Sequence, residues 1–186
     1  MAATETIQIP LGFTAPNFKL YDPITDTHKT LEELKSDKGI VIAFICNHCP
    51  FVKHIIHEFI TIANEYIPQG ISFIAINSND VANYPEDSPI KMKEWATKLN
   101  FPFTYLYDES QNIAKNYSTA CTPDINLFDA NLKCVYRGRF DDSTPGNGIE
   151  VTGKDLRSAL AALVAGDEIS KDQQPSIGCS IKWKSE

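Results

Sequence analysis

Nowhere along the 186 residues do lysine and arginine gather into a substantial cluster; the basic groups are short, such as Lys91-Met92-Lys93 and Lys182-Trp183-Lys184. Seventeen Lys and Arg against 24 Asp and Glu leave a formal net charge of −7. A sequence-independent grip on nucleic acid or anionic lipid needs concentrated positive charge, so neither is an expected partner. Long hydrophobic stretches are also missing. Ile40 to Cys46 is among the longest unbroken apolar runs, about a third of a membrane span, and reads as a buried strand. Met1 to Leu11 lacks a basic start followed by an apolar segment, which points to a cytoplasmic chain. Residues 11–165 contain no internal repeat, low-complexity block or linker. What remains is enough apolar residue, 42%, for one domain with a full core.

Cysteine is the informative residue. Cys46, Cys49, Cys121, Cys134 and Cys179 make an odd set, and without a signal segment they argue against a secreted disulfide scaffold. In a reducing compartment a close pair is catalytic or metal-binding before it is structural. Cys46-Asn47-His48-Cys49 is such a pair.

Strands and helices alternate around it. After Leu20 come turn residues and a short amphipathic stretch, Leu31 to Leu34. Gly39 to Ile45 is a continuous apolar, β-branched run, as in a strand buried on both faces of a parallel sheet. From His48 to Tyr66, apolar residues fall at helical spacing, ended by Pro68 and Gly70. Ile71 to Asn77 predicts a second strand. Asp87-Ser88-Pro89 reads as the cap and first turn of a helix reaching Leu99. Phe103 to Leu106 is a short third strand, and Ser110 caps a helix to Tyr117. Ile125 to Phe128 and Cys134 to Tyr136 form a hairpin across Asp129-Ala130-Asn131. Thr152 caps a last helix, stopped by Gly166. The order is βαβα, then a hairpin and a helix: an α/β domain with a mixed sheet.

The cysteine pair falls at the carboxyl end of the first buried strand, where open α/β sheets carry their sites. The unpaired N–H groups of the following helix favour a thiolate. Thiols at such positions fall to about 3.5–7.5 from about 8.5. Cys46 is then expected to be exposed and to attack, with Cys49 tucked inside to resolve. His48 favours the thiolate further. Thr122-Pro123, just before the hairpin, faces the pair across the site, and its bond is expected to be cis. Its backbone would leave an edge free for an extended substrate. Cys134 is expected to be a buried, inert thiol. Cys121 stands at the rim of the site, and Cys179 lies in an alternating tail. Either is a possible further redox residue.

These residues resemble the thioredoxin fold. Gly12 to Leu20 is similar to the opening of the peroxiredoxin superfamily (AhpC/TSA and redoxin proteins). Phe44 to Val52, Tyr107-Asp108-Glu109, Cys121 to Asp124, Tyr136 to Arg139 and Pro175 to Cys179 resemble a peroxiredoxin-like subgroup with a Cys-X-X-Cys motif. The resemblance implies a central mixed sheet flanked by helices over residues 1–166, with an N-terminal extension and a tail, 167–186, on or near the domain. It implies a thiol–disulfide oxidoreductase acting on protein or small-molecule disulfides with a cellular reductant and no cofactor.

Two rivals stand beside that reading. In a peroxiredoxin the peroxide-reactive cysteine aligns with Cys49, but Cys46 stands where a Thr belongs and Ile42 where a Pro belongs. Arg137 or Arg139 would have to supply the distant Arg. The metal alternative reads Cys46, Cys49, His54 and His57 as C-X2-C-X4-H-X2-H. A continuous helix cannot wrap all four around one ion, and known zinc spacings separate the pairs by a long loop, so no metal ligand is assigned; a copper-binding redoxin, with the cysteine pair and a distant His, stands as the lesser alternative.

Overall fold

The computed structural model describes residues 3–185. Its centre is β4 (Gly39–Phe44), every residue of which is buried. β5 (Ile71–Asn77) lies parallel to it, with Gly39 opposite Ile71, and β6 (Thr104–Tyr107) lies parallel to β5. Hairpins extend the sheet at both edges: β2 (Lys19–Asp22) with β3 (Thr27–Thr30), and β8 (Asp124–Asp129) with β9 (Cys134–Gly138). The order β3-β2-β6-β5-β4-β8-β9 makes a seven-stranded mixed sheet.

Alternation along β4 divides the core. Val41 and Ala43 pack beneath α2 (Pro50–Tyr66), α3 (Pro89–Leu99) and α5 (Lys154–Ala165). Ile40, Ile42 and Phe44 face α1 (Leu31–Leu34) and α4 (Asn112–Asn116). Each of those three is 0% exposed, and such burial contributes about 1.5–3 kcal/mol per side chain. α2 presents Val52, Ile55, Ile56, Phe59, Ile62 and Ala63 to the core at helical spacing. Pro50 takes its first position, where a missing N–H leaves no bond unmade.

Four parts of the chain differ from the sequence reading. Gln111, at φ 63°, and not Ser110 is the N-cap of α4. The stretch before Leu31 is a hairpin, β2–β3, rather than turn residues alone. Thr152 does not cap α5: the N-cap is Gly153, at φ 64°, and the Asp141 carboxylate accepts the Thr152 and Gly153 N–H groups at 2.8 and 2.7 Å. The ends of the chain also meet. β1 (Ala3–Glu5), β10 (Ile177–Ser180) and β7 (Cys121–Thr122) form a small antiparallel sheet in the order β1-β10-β7. Its register sets Cys179 opposite Thr122 and Ser180 opposite Cys121. Gly178 is the residue that permits this. A methyl group there would fall 1.9 Å from the Thr122 carbonyl oxygen, well inside contact distance.

Candidate active site

β4 ends at Phe44, and the next five residues bring Cys46 and then Cys49 to the start of α2, whose N-cap is Cys49. Across from them the Thr122-Pro123 bond is cis, as the sequence suggested. The junction meets both sulfurs. Cys46 Sγ lies 3.4 Å from Thr122 Oγ1, and Cys49 Sγ lies 3.1 Å from the Thr122 carbonyl oxygen. Cys179 joins from β10, its sulfur sharing a hydrogen bond with Cys49 Sγ at 2.8 Å.

A carboxylate anchors the intervening residues. Asp87 is 0% exposed; it accepts the Asn47 N–H at 2.7 Å, shares a proton with His48 Nδ1 at 2.6 Å, and accepts Asn79 Nδ2 at 2.8 Å. Asn47 also donates to the Glu86 carbonyl and accepts from the buried Tyr105 hydroxyl at 2.9 Å. His48 stacks on Tyr84 with ring centroids 5.5 Å apart.

With this geometry in view, comparison with known proteins places the chain. The AhpC/TSA family pattern matches residues 11–137, well over half of the sequence. The chain belongs to the AhpC/TSA family. Among solved structures it is similar to an uncharacterized conserved protein from Geobacillus kaustophilus, at 57% identity and TM-score 0.98, covering 100% of this chain and 98% of that one. A hypothetical protein from Sinorhizobium meliloti 1021 is 42% identical with TM-score 0.96, covering 98% and 100%. The thioredoxin domain of a thiol-disulfide oxidoreductase from Bacteroides vulgatus is 15% identical with TM-score 0.58, covering 70% and 89%; that likeness is one of fold. No curated protein matches in sequence. The architecture is thioredoxin-like.

Within this AhpC/TSA fold the expectation of an exposed Cys46 fails. Cys46 is 1% exposed and Cys49 0%, because the site is roofed rather than open. The Thr122 edge, expected to be free for a substrate strand, is filled by β10. The carboxyl-terminal segment continues inward, with the Lys182 N–H on Asn79 Oδ1 and the Ile181 N–H on the Ala120 carbonyl.

Electrostatics separate the two thiols. A hydrogen bond from the Cys46 thiol, aided by those from the Cys179 thiol and the Val52 N–H, pulls the Cys49 pKa down to about 5 against the opposing effect of burial. The Cys46 thiol is held well above its usual range by that same hydrogen bond, by burial and by the Asp87 carboxylate. His48 is raised, chiefly by its hydrogen bond to Asp87, and is attracted to the Cys49 thiolate. Its electrostatic link is therefore to Cys49, while the carboxylate beside it opposes ionisation of Cys46. Burial pushes the Cys179 thiol up to about 12. Cys121, 0% exposed, is pushed up by burial as well. Cys134 is buried in the second core cluster and raised to about 12, a packing residue.

Arg137 is not at the surface. It is 1% exposed; its Nε donates to the Ile7 carbonyl and its Nη1 to Asn126, and its Nη2 reaches Thr6, the Ser118 carbonyl and Asp124. The guanidinium ties the amino-terminal segment to β8. Arg139 pairs with Asp155 instead. The metal spacing also dissolves: His54 bonds Ser143 Oγ at 3.1 Å and His57 is exposed. Among the described residues, ligand atoms of Cys46, His48 and Asp87 do lie within 4.8 Å of one another. A cation there would have to displace the three hydrogen bonds that Asp87 already accepts.

Asp87, Asn79 and Tyr105 were missed by sequence reasoning. Asp87 looked like a helix cap, but Ser88 holds the N-cap of α3 and Asp87 turns inward. The usable signal was the polar run Asn77-Ser78-Asn79-Asp80 directly after a buried strand, at the sheet edge where α/β sites form.

Proposed function

We propose that the protein is a thiol–disulfide oxidoreductase in which Cys49 is the attacking thiolate and Cys46 the resolving thiol, acting on disulfides with a thiol reductant closing the cycle. This exchanges the roles expected from spacing alone. The observation that carries it is the position of Cys49 at the α2 N-cap with its sulfur 2.8 Å from Cys179 Sγ, while Cys46 lies beside the Asp87 carboxylate, which opposes its ionisation. The thiolate is the nucleophile in such chemistry. Cys46, its sulfur 3.4 Å from Thr122 Oγ1, follows as the resolving thiol. The cysteine that β10 brings against the cis-Pro edge also meets Cys49 rather than Cys46.

In the step itself, the Cys49 thiolate attacks one sulfur of the substrate disulfide and the other leaves as a thiolate. Cys46 then gives up its proton and attacks Cys49 Sγ. The second substrate thiol departs, leaving a Cys46–Cys49 disulfide; two protein thiols are oxidised and one disulfide is reduced. Stabilising the Cys49 thiolate stabilises the reduced form, so the potential is expected above the roughly −270 mV of thioredoxin. Turnover of insulin disulfides with dithiothreitol tests the reading. It should be lost in Cys49→Ser and in the double variant Cys46→Ser/Cys179→Ser, and full activity in either would overturn it.

The peroxidase alternative draws support from AhpC/TSA membership and from Cys49 at the start of α2. Against it, Cys46 occupies the place of the assisting Thr, and the Arg137 guanidinium is committed to five protein partners.

A further inference from the structure

Strand β10 lies in the position in which a substrate segment would add to β7, beside the cis Thr122-Pro123 junction. It is anchored on all sides. β1 pairs along it with Thr4 opposite Gly178, the Thr6 N–H bonds the Ser176 carbonyl, and Ile181 and Lys182 are stitched to Ala120 and Asn79. The side chain held against the active pair is Cys179, 4% exposed, with its sulfur 2.8 Å from Cys49 Sγ. Paired on both flanks, the strand holds Cys179 against the cysteine pair in this fold.

We infer that Cys179 is a third redox residue, which takes the disulfide over from Cys46 and stores it as a Cys49–Cys179 bond. The inference rests on thiol–disulfide exchange at the Cys46–Cys49 pair. The step balances without any further reactant. The Cys179 thiol loses its proton and its sulfur bonds Cys49 Sγ. The Cys46–Cys49 bond breaks, and Cys46 leaves with the electron pair and gains a proton. One disulfide replaces another, no net electrons move, and Cys46 is left reduced. The geometry suits the exchange, because Cys49 Sγ lies 2.8 Å from Cys179 Sγ and both sulfurs of the pair meet Thr122.

Non-reducing peptide mapping tests this. The reduced full-length protein is treated with one equivalent of oxidised glutathione, its free thiols are alkylated, and the linked peptides are identified by mass spectrometry. The expected product is a Cys49–Cys179 link with Cys46 alkylated. Cys179→Ser should shift the product entirely to Cys46–Cys49 while still consuming the glutathione disulfide. Gly178→Ala, which drives a methyl into the Thr122 carbonyl, should produce the same shift with all five cysteines present. A wild-type protein that links Cys46 to Cys49 and leaves Cys179 alkylated overturns the inference while leaving the exchange reading intact. If no cysteine is oxidised in the wild type or in Cys179→Ser, both fall together.

Discussion

Cys49 and Cys179 stand 130 residues apart in the chain, yet their sulfurs approach to 2.8 Å. That contact joins the first turn of α2 to the last strand, so the carboxyl-terminal segment is part of the site. Cys49 Sγ also meets the Thr122 carbonyl at 3.1 Å, whereas Cys46 meets the Thr122 hydroxyl and faces the Asp87 carboxylate.

The lowered Cys49 pKa predicts a thiolate signal at 240 nm that titrates near pH 5 in the reduced protein and is missing in Cys49→Ser. The consequence for stability has a definite sign. A folded pKa of about 5 lies below the unfolded value of about 8.5, so the contribution is complete above about pH 8.5 and is lost as pH falls through 5. Denaturant unfolding between those limits should show the gap between wild type and Cys49→Ser widening as pH rises.

Asp87→Asn should cost about 1.5–3 kcal/mol, because the amide turns an N–H group toward donors that the carboxylate satisfied, and bonds to charged groups are worth that much. The His48 pKa should fall in the same variant, since its hydrogen bond to Asp87 is the main cause of the rise. In the wild type the His48 contribution is complete below its unfolded pKa and is lost as pH rises through the raised folded value. Imidazole proton NMR across pH 5 to 8 reads the shift directly.

Arg137→Met should destabilise by about 3–5 kcal/mol, measured by urea unfolding, because it strands the fully buried Asp124 carboxylate without its partner. A loss below 1 kcal/mol would contradict the buried clamp.

Compared thiolate for thiolate, peroxide should oxidise the reduced protein no faster than free cysteine in stopped-flow measurements. The guanidinium that would have to steady a peroxide is tied to Thr6, Ser118 and Asp124 instead. Rapid, saturating oxidation at Cys49 would move the assignment to the peroxidase reading.

Much of the architecture was legible because local pattern dictates it. The unbroken apolar run at Gly39–Phe44, the helical spacing from Val52 to Ala63 and the Thr-Pro junction are each set by burial or backbone chemistry within a few residues. The site was legible only where it is local. Cys46, His48 and Cys49 sit in one motif, whereas Asp87 reaches His48 across 39 residues and carries a side chain that also suits a helix cap. The closed Thr122 edge was out of reach for the same reason: two short terminal strands with weak patterns pair with each other and with β7, and only the tertiary structure brings them there. Which thiol ionises depends on those distant groups as well as on spacing.

The central claim is that Cys49 attacks, and two double variants test it most directly. Cys46→Ser/Cys179→Ser leaves Cys49 with hydroxyl donors in place of the thiols that bond it, while Cys49→Ser/Cys179→Ser leaves Cys46 beside Asp87. Each is mixed with oxidised glutathione at pH 6.5, where an ordinary thiol of pKa about 8.5 is about 1% ionised. The rate of mixed-disulfide formation is then followed by intact-protein mass spectrometry. The account predicts rapid glutathionylation of the first variant at Cys49 and a rate at or below that of an ordinary thiol in the second. A fast Cys46 and an inert Cys49 would contradict it.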